Sequence, residues 1–103
     1  MENIRTTIHN NICRQLNETY KAKNADYGNS FAKIRQEYHN AILIRLMDKL
    51  ERLKMLYSKE YINKVNESID DTLIDLANYA IMEIVERRID GNRYVKELIE
   101  DEE

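Results

Sequence analysis

A chain of 103 residues with no proline and only two glycines, Gly28 and Gly91, has almost nothing with which to end strands or build hairpins. Its charged content of 34%, rich in Glu, Lys and Arg, suits the outer faces of helices instead. Both features point to an all-α fold. The length fits a single domain, residues 1–103, which at this size buries roughly 60–70% of the surface its unfolded form exposes.

The apolar residues recur at helical spacing. From Glu2 to about Lys23, Ile4, Ile8, Ile12, Leu16 and Tyr20 return every four residues, so a first helix carries one slowly drifting stripe that needs a cover. Asn24 to Ser30 holds Asn, Asp and Gly, residues that favour turns, and Asn29 or Ser30 can cap a second helix starting at Phe31. After an interruption near His39 and Asn40, a long helix runs to about Tyr57. In it Leu43, Leu46, Leu50, Leu53 and Tyr57 form a lengthwise packing seam. Ser58 to Tyr61 reads as the next connection, followed by a third long helix from about Ile62 to Ile89, with Gly91 as its stop and a short last helix from Asn92 to about Glu100. The expected architecture is a helical bundle of about four helices. Its Ile and Leu stripes exceed what so few helices can cover, which predicts a homodimer or tetramer.

Several function classes drop out. A net charge of −3 argues against a binder of DNA or RNA polymers, which would carry a basic face. No run of about 18 apolar residues is present to span a membrane, and the N-terminus lacks the apolar core of a signal peptide. With Cys13 as the single cysteine no intramolecular disulfide can form, and the expectation is a soluble cytoplasmic protein. His9 and His39 have no partners at zinc-ligand spacing. No nucleophile elbow and no Walker loop is found. Cys13, most of the tyrosines, Met47, Met55 and Met82 read as packing residues.

The chemistry-bearing residues cluster in two places. At about 100° per residue, Glu67, Asp71, Asp75 and Asn78 fall on one side of the third long helix, with Ile69, Leu73, Leu76 and Ala80 opposite. Carboxylates stacked in this way repel by some tenths of a kcal/mol per pair, and a divalent cation is the obvious reason to keep them. On the preceding helix Arg45, Asp48, Lys49 and Arg52 share a strip beside the Leu seam. If the two helices pack antiparallel, strip and column face each other across a groove that offers cations to phosphate oxygens and carboxylates to Mg²⁺. Inter-helix salt bridges are the alternative use of the same residues. In the turn, Gly28 would let a ligand approach the backbone, Ser30 offers a hydroxyl to phosphate, and Tyr27 or Phe31 offers a ring to a base; a capped turn with an aromatic plug is the plainer reading. Asn78 can read a base edge or hold Asp75.

Three strings, DYGNSF from Asp26 to Phe31, LIRLMDKLERLKML from Leu43 to Leu56 and ESIDDTLIDLANYAIM from Glu67 to Met82, resemble the nucleotide modification associated domain 1 family. That family is found largely in phages and bacteria and is related to the all-α NTP pyrophosphatases of MazG type. The resemblance implies a MazG-like helical bundle, assembled as a dimer or tetramer, with a nucleotide at an acidic helix-lined site. MazG-type enzymes hold Mg²⁺ with an EExxE motif and a later ExxD motif. Asp71 resembles the last Asp of the second, supported by Glu67 or Asp70, whereas the first has no counterpart beyond Asp48 with Glu51, interleaved with Lys49 and Arg52.

The resulting expectation is a nucleotide-binding protein that acts as a Mg²⁺-dependent nucleoside triphosphate pyrophosphohydrolase. Glu67 and Asp71 would be catalytic, Asp48, Glu67, Asp71 and Asp75 would hold the metal, and Tyr27, Gly28, Ser30, Arg45, Lys49, Arg52 and Asn78 would bind the nucleotide. The alternative is a phage-type sponge that sequesters a nucleotide-derived immune signal without chemistry, in the host cytoplasm if phage-encoded. A helical module whose charged strips are salt bridges is the third.

Overall fold

The structure, a computed structural model, describes residues 3–27, 29–58 and 66–102, with the side chains of 26, 27, 66–68 and 92–102 left aside. Among the described residues it is all-helical, with no strand: α1 (Ile4–Tyr27), α2 (Ser30–Glu37), α3 (Ala41–Leu56) and α4 (Asn66–Glu102). None of these helices is long and apolar enough to cross a membrane.

Local chemistry explains most of the boundaries. The Asn3 side chain accepts a hydrogen bond from the Arg5 backbone N–H at 2.9 Å and so caps α1. Asn29 stands at the start of α2 with φ 61°, a left-handed conformation that Asn tolerates better than most residues, and its side chain makes no capping bond. Ser30 is therefore the first helical residue of α2 and not its cap. Between α2 and α3 the chain turns through Tyr38, His39 and Asn40, tied by a 2.9 Å bond from the Ala41 N–H to the Tyr38 carbonyl.

At the far end the expectation of two helices fails. α4 continues through Gly91, which adopts helical backbone inside a 37-residue helix. Glycine ends a helix only where its left-handed conformation is used, and without that it merely weakens the helix locally. The stretch Ser58 to Tyr61 is described only at Ser58, and Ile62 to Val65 lie outside the described residues.

Packing centres on α3 against α4. Arg45 meets Tyr79 while Lys49, one turn later, meets Asp75, one turn earlier, so the two helices run antiparallel. The face that α3 turns inward carries Ile42, Leu46, Lys49, Leu53 and Leu56; Leu46 and Leu53 of the expected seam are on it, whereas Leu43, Leu50 and Tyr57 are exposed. Leu73, placed by its spacing on the packing side of α4, is exposed as well. Met47 and Met55 fill no gap and stand in solvent, and Cys13 lies on the exposed side of α1, 3.7 Å from His9 Nδ1. These corrections share a cause. Apolar spacing cannot distinguish two adjacent helix faces when the helix has apolar residues on both.

α2, at eight residues, is too short to hold a helix alone. It is fastened by Phe31, which is buried, and by Arg35. The Arg35 guanidinium donates to both carboxylate oxygens of Glu83 at 2.8 and 3.1 Å and to Asp90 at 2.8 Å. The hydrogen bonds to Glu83, then those to Asp90, raise the Arg35 pKa above its ordinary value, so the clamp's cation is never lost to titration.

Removing the guanidinium leaves the half-buried Glu83 without its partner. Arg35→Gln should lower unfolding free energy by about 2–3 kcal/mol in urea titrations followed by circular dichroism. Gly91→Ala is expected to act in the other direction. A Cβ at Gly91 meets nothing within 4 Å, and alanine in a helix interior gains about 0.5–1 kcal/mol over glycine. A loss of stability on that change would mean that α4 is not continuous there.

Candidate functional site

α1, α3 and α4 do not close completely on one another, and α2 roofs the gap. The result is a cavity of about 300 Å³ lined by Tyr20, Lys23 and Asn24 of α1, Asn29, Ser30 and Phe31 at the start of α2, Arg45 of α3, and Asp75, Asn78, Tyr79 and Met82 of α4. A second cavity of about 170 Å³, mainly apolar, lies between α1 and α4 and shares Tyr20, Asn78 and Met82 with the first.

Two kinds of cation border the larger cavity. Lys49 and Lys23 approach the two oxygens of Asp75, at 3.2 Å from Oδ2 and 3.8 Å from Oδ1 respectively. Both pairs link α4 to a neighbouring helix, so Asp75 serves as a three-helix junction. Arg45 behaves differently. Its guanidinium lies over the Tyr79 ring, 5.4 Å from the centroid, and its Nη1 donates to Tyr79 Oη at 3.3 Å. Among the described residues no carboxylate pairs with it. A half-buried cation held by a ring and a neutral hydroxyl keeps its affinity for an anion.

Asn78 is buried and donates from Nδ2 to the Leu16 carbonyl at 3.1 Å, which joins α4 to α1 and turns the amide edge between the two cavities. Its position four residues before Met82 and three after Asp75 is what one helical face requires.

Of the residues anticipated for a site, the fold brings Ser30, Arg45, Asp75 and Asn78 into one cavity wall, with Lys49 behind Asp75. It does not bring three others there. Asp48, Arg52 and Asp71 are exposed and line neither cavity. Gly28 lies outside the described residues, as do the side chains of Tyr27 and Glu67. Among the described residues no three His, Cys, Asp or Glu side chains gather as a metal-binding group. Inter-helix salt bridging, the alternative use of the charged strips, describes Asp75 and Lys49 here. Among the residues not anticipated, besides Asn29 and Met82, are Tyr20, Lys23 and Asn24 of α1. They stand at i, i+3 and i+4 on α1, one continuous helix face, a signal that was legible once Tyr20 was taken as the end of the Ile stripe.

The model of the nucleotide modification associated domain 1 family matches residues 23–86, more than half of the chain and all of α2 and α3. No curated protein and no solved structure matches the chain.

The different surroundings of the two aspartates give opposite expectations for the same substitution. Asp75→Asn removes the partner of Lys49, which is 21% exposed, and should cost about 0.5–1 kcal/mol of stability. Asp71→Asn, at an exposed position, should stay within about 0.5 kcal/mol of the parent. Thermal unfolding of both variants in EDTA measures this, and equal effects would remove the junction role from Asp75.

Proposed function

The chain belongs to the nucleotide modification associated domain 1 family, and we propose on that premise that its four-helix cleft binds a nucleotide or nucleotide-derived small molecule and retains it intact. The observation that carries this reading is Arg45, a half-buried guanidinium stacked on Tyr79 at the wall of a cavity, with no carboxylate partner among the described residues. A phosphate is the natural counter-ion for such a group, because guanidinium donors match its oxygens in pairs. Lys23 lines the same cavity and adds a second cation. Tyr20, Phe31 and Tyr79 offer rings to a base, and Asn78 an amide to its edge.

Size narrows the ligand class. About 300 Å³ stands at the lower limit of small-molecule sites, which suits a mononucleotide better than a dinucleotide. We read the protein as acting in the cytoplasm, as a homodimer or tetramer, because one chain leaves its Ile and Leu stripes uncovered. MazG-like descent is part of the same reading and accounts for a nucleotide between helices.

Magnesium fits the described donor set poorly. Asp75 is taken by two lysines, while Asp48 and Asp71 are exposed outside the cavity. Release of pyrophosphate in the manner of a MazG-type enzyme would need a metal-activated water. Retention of a ligand needs only contacts that lower its free energy, and Arg45, Lys23 and the aromatic walls supply those.

The test is calorimetric titration with nucleoside mono-, di- and triphosphates, cyclic dinucleotides and ADP-ribose derivatives, with Mg²⁺ or with EDTA, followed by mass spectrometry of ligand recovered after denaturation. Binding of at least one mononucleotide in EDTA is expected, with the ligand recovered unchanged. Arg45→Ala should weaken it about tenfold or more, equivalent to about 1.4 kcal/mol, and Asp71→Asn should leave it unaltered. Turnover to a monophosphate and pyrophosphate, abolished by EDTA and by Asp71→Asn, would establish the hydrolase instead.

A further inference from the structure

The chain exposes far more surface than its mass warrants. A compact monomer of 12.3 kDa has an accessible surface of about 6,100 Å² by the usual scaling, whereas this one has 8841 Å². The excess, about 2,700 Å² on the same scaling, is larger than the roughly 800 Å² that one partner contributes to a standard interface. Its extents of 62 × 42 × 22 Å explain why: the short dimension is about two helix diameters. A slab two helices thick cannot enclose its own apolar residues.

One face of α4 carries a self-complementary pattern. α3 meets α4 through Asp75 and Tyr79, α2 through Glu83 and Asp90, and α1 through Asn78. A further side, holding Leu73, Ala77, Ile81 and Ile84, is only partly covered, with Leu73 and Ile81 each 42% exposed and Ile84 49% exposed, Ile81 also lining the smaller cavity beside α1. Asp70 and Arg88, both exposed and without an ion partner among the described residues, bracket it. They are five full turns apart, about 27 Å along the axis, and so stand on one line down the helix. Ala77 and Ile81 flank that line on either side, and Ile74 and Ile84 flank it further out.

We propose that this face is a two-fold interface in which α4 of one chain packs antiparallel against α4 of a second copy, with Asp70 of each opposite Arg88 of the other. A two-fold axis at the level of Tyr79 exchanges Asp70 with Arg88, Ala77 with Ile81, and Ile74 with Ile84. Each apolar residue then meets an apolar residue and each charge meets its opposite, which is the condition an isologous interface sets. The small Ala77 beside the axis lets the helices approach closely. The parallel arrangement is excluded by the same charges, since it would set Asp70 on Asp70 and Arg88 on Arg88. The exposed stripe on α3, Leu43, Met47 and Leu50, has no such brackets and is interrupted by Lys54. The proposal rests on the homodimer or tetramer reading and stands apart from the ligand reading, because none of the residues it pairs lines the larger cavity and only Ile81 lines the smaller one.

Sedimentation velocity of the full chain at tens of micromolar tests it. The parent should sediment at twice the 12.3 kDa chain mass or a higher even multiple. Asp70→Arg and Arg88→Asp, each placing two like-charge pairs in the interface by symmetry, should each raise the dimer dissociation constant about tenfold or more. The double variant Asp70→Arg with Arg88→Asp restores opposite charges and should recover parental assembly. Since both positions are exposed, circular dichroism should report unchanged helix content, and Ile84→Glu should dissociate the dimer without any charge partner. A monomeric parent overturns the proposal. So does assembly that ignores the single reversals, or one abolished by Leu50→Glu on α3 but not by Ile84→Glu.

Discussion

The arrangement of the cleft depends on one guanidinium. α2 is too short to form alone, and only Phe31 and Arg35 bind it to the rest of the molecule at side chains that are buried or nearly so. Arg35 spans Glu83 and Asp90, two positions seven residues apart on α4, and this doubled contact sets both where α2 lies and how it is rotated. A single point charge would fix position without orientation. The planar fork of Arg fixes both, and with α2 so held, Phe31 and Ser30 face the space between α1, α3 and α4.

That space persists because polar side chains tie together the helices around it. Asp75 gathers Lys49 and Lys23 from two helices, Asn78 holds the Leu16 carbonyl of α1, and Arg45 rests on Tyr79. Apolar residues at these positions would have drawn the helices together and filled the gap, whereas hydrogen-bonded side chains hold them at a set distance. The cost is a thin hydrophobic core. Only Leu16, Phe31, Ala41 and Leu53 are buried apolar residues among those described, so the fold that leaves room for a ligand also leaves apolar surface that a second copy can cover.

How much was legible in the residues themselves depends on the range of the interaction involved. The all-α class, the turn at Asn29 and the break near His39 follow from local preferences. Each helix closes its hydrogen bonds four residues apart, so neighbours in sequence suffice to specify it. Arg45, Asp75 and Asn78 were also recognisable as neighbours, since two antiparallel helices of opposite charge pattern must bring some of them together, whereas Ser30 was recognisable only as part of a separate turn. The Leu seam of α3 was right at Leu46 and Leu53 and wrong at Leu43 and Leu50, which face out while Lys49 packs inward with its aliphatic stem. Hydrophobicity ranked residue types where the packing ranks atoms.

The all-helical class, the breaks at Asn29 and near His39, and the pattern of apolar stripes were thus determined by the sequence alone, because they rest on contacts within a few residues of one another; the continuation of α4 through Gly91 is just as local, but glycine is compatible with either a helix end or a helix interior. Tertiary structure alone decided that Asp75 answers two lysines, that Asp71 stands outside the cleft, and that Arg45 keeps no carboxylate among the described residues. Each of these turns on which helix face meets which across separations of about 30–60 residues, as between Arg45 and Tyr79 or Leu16 and Asn78. Local hydrogen bonding is indifferent to that choice, and only the simultaneous packing of four helices makes it.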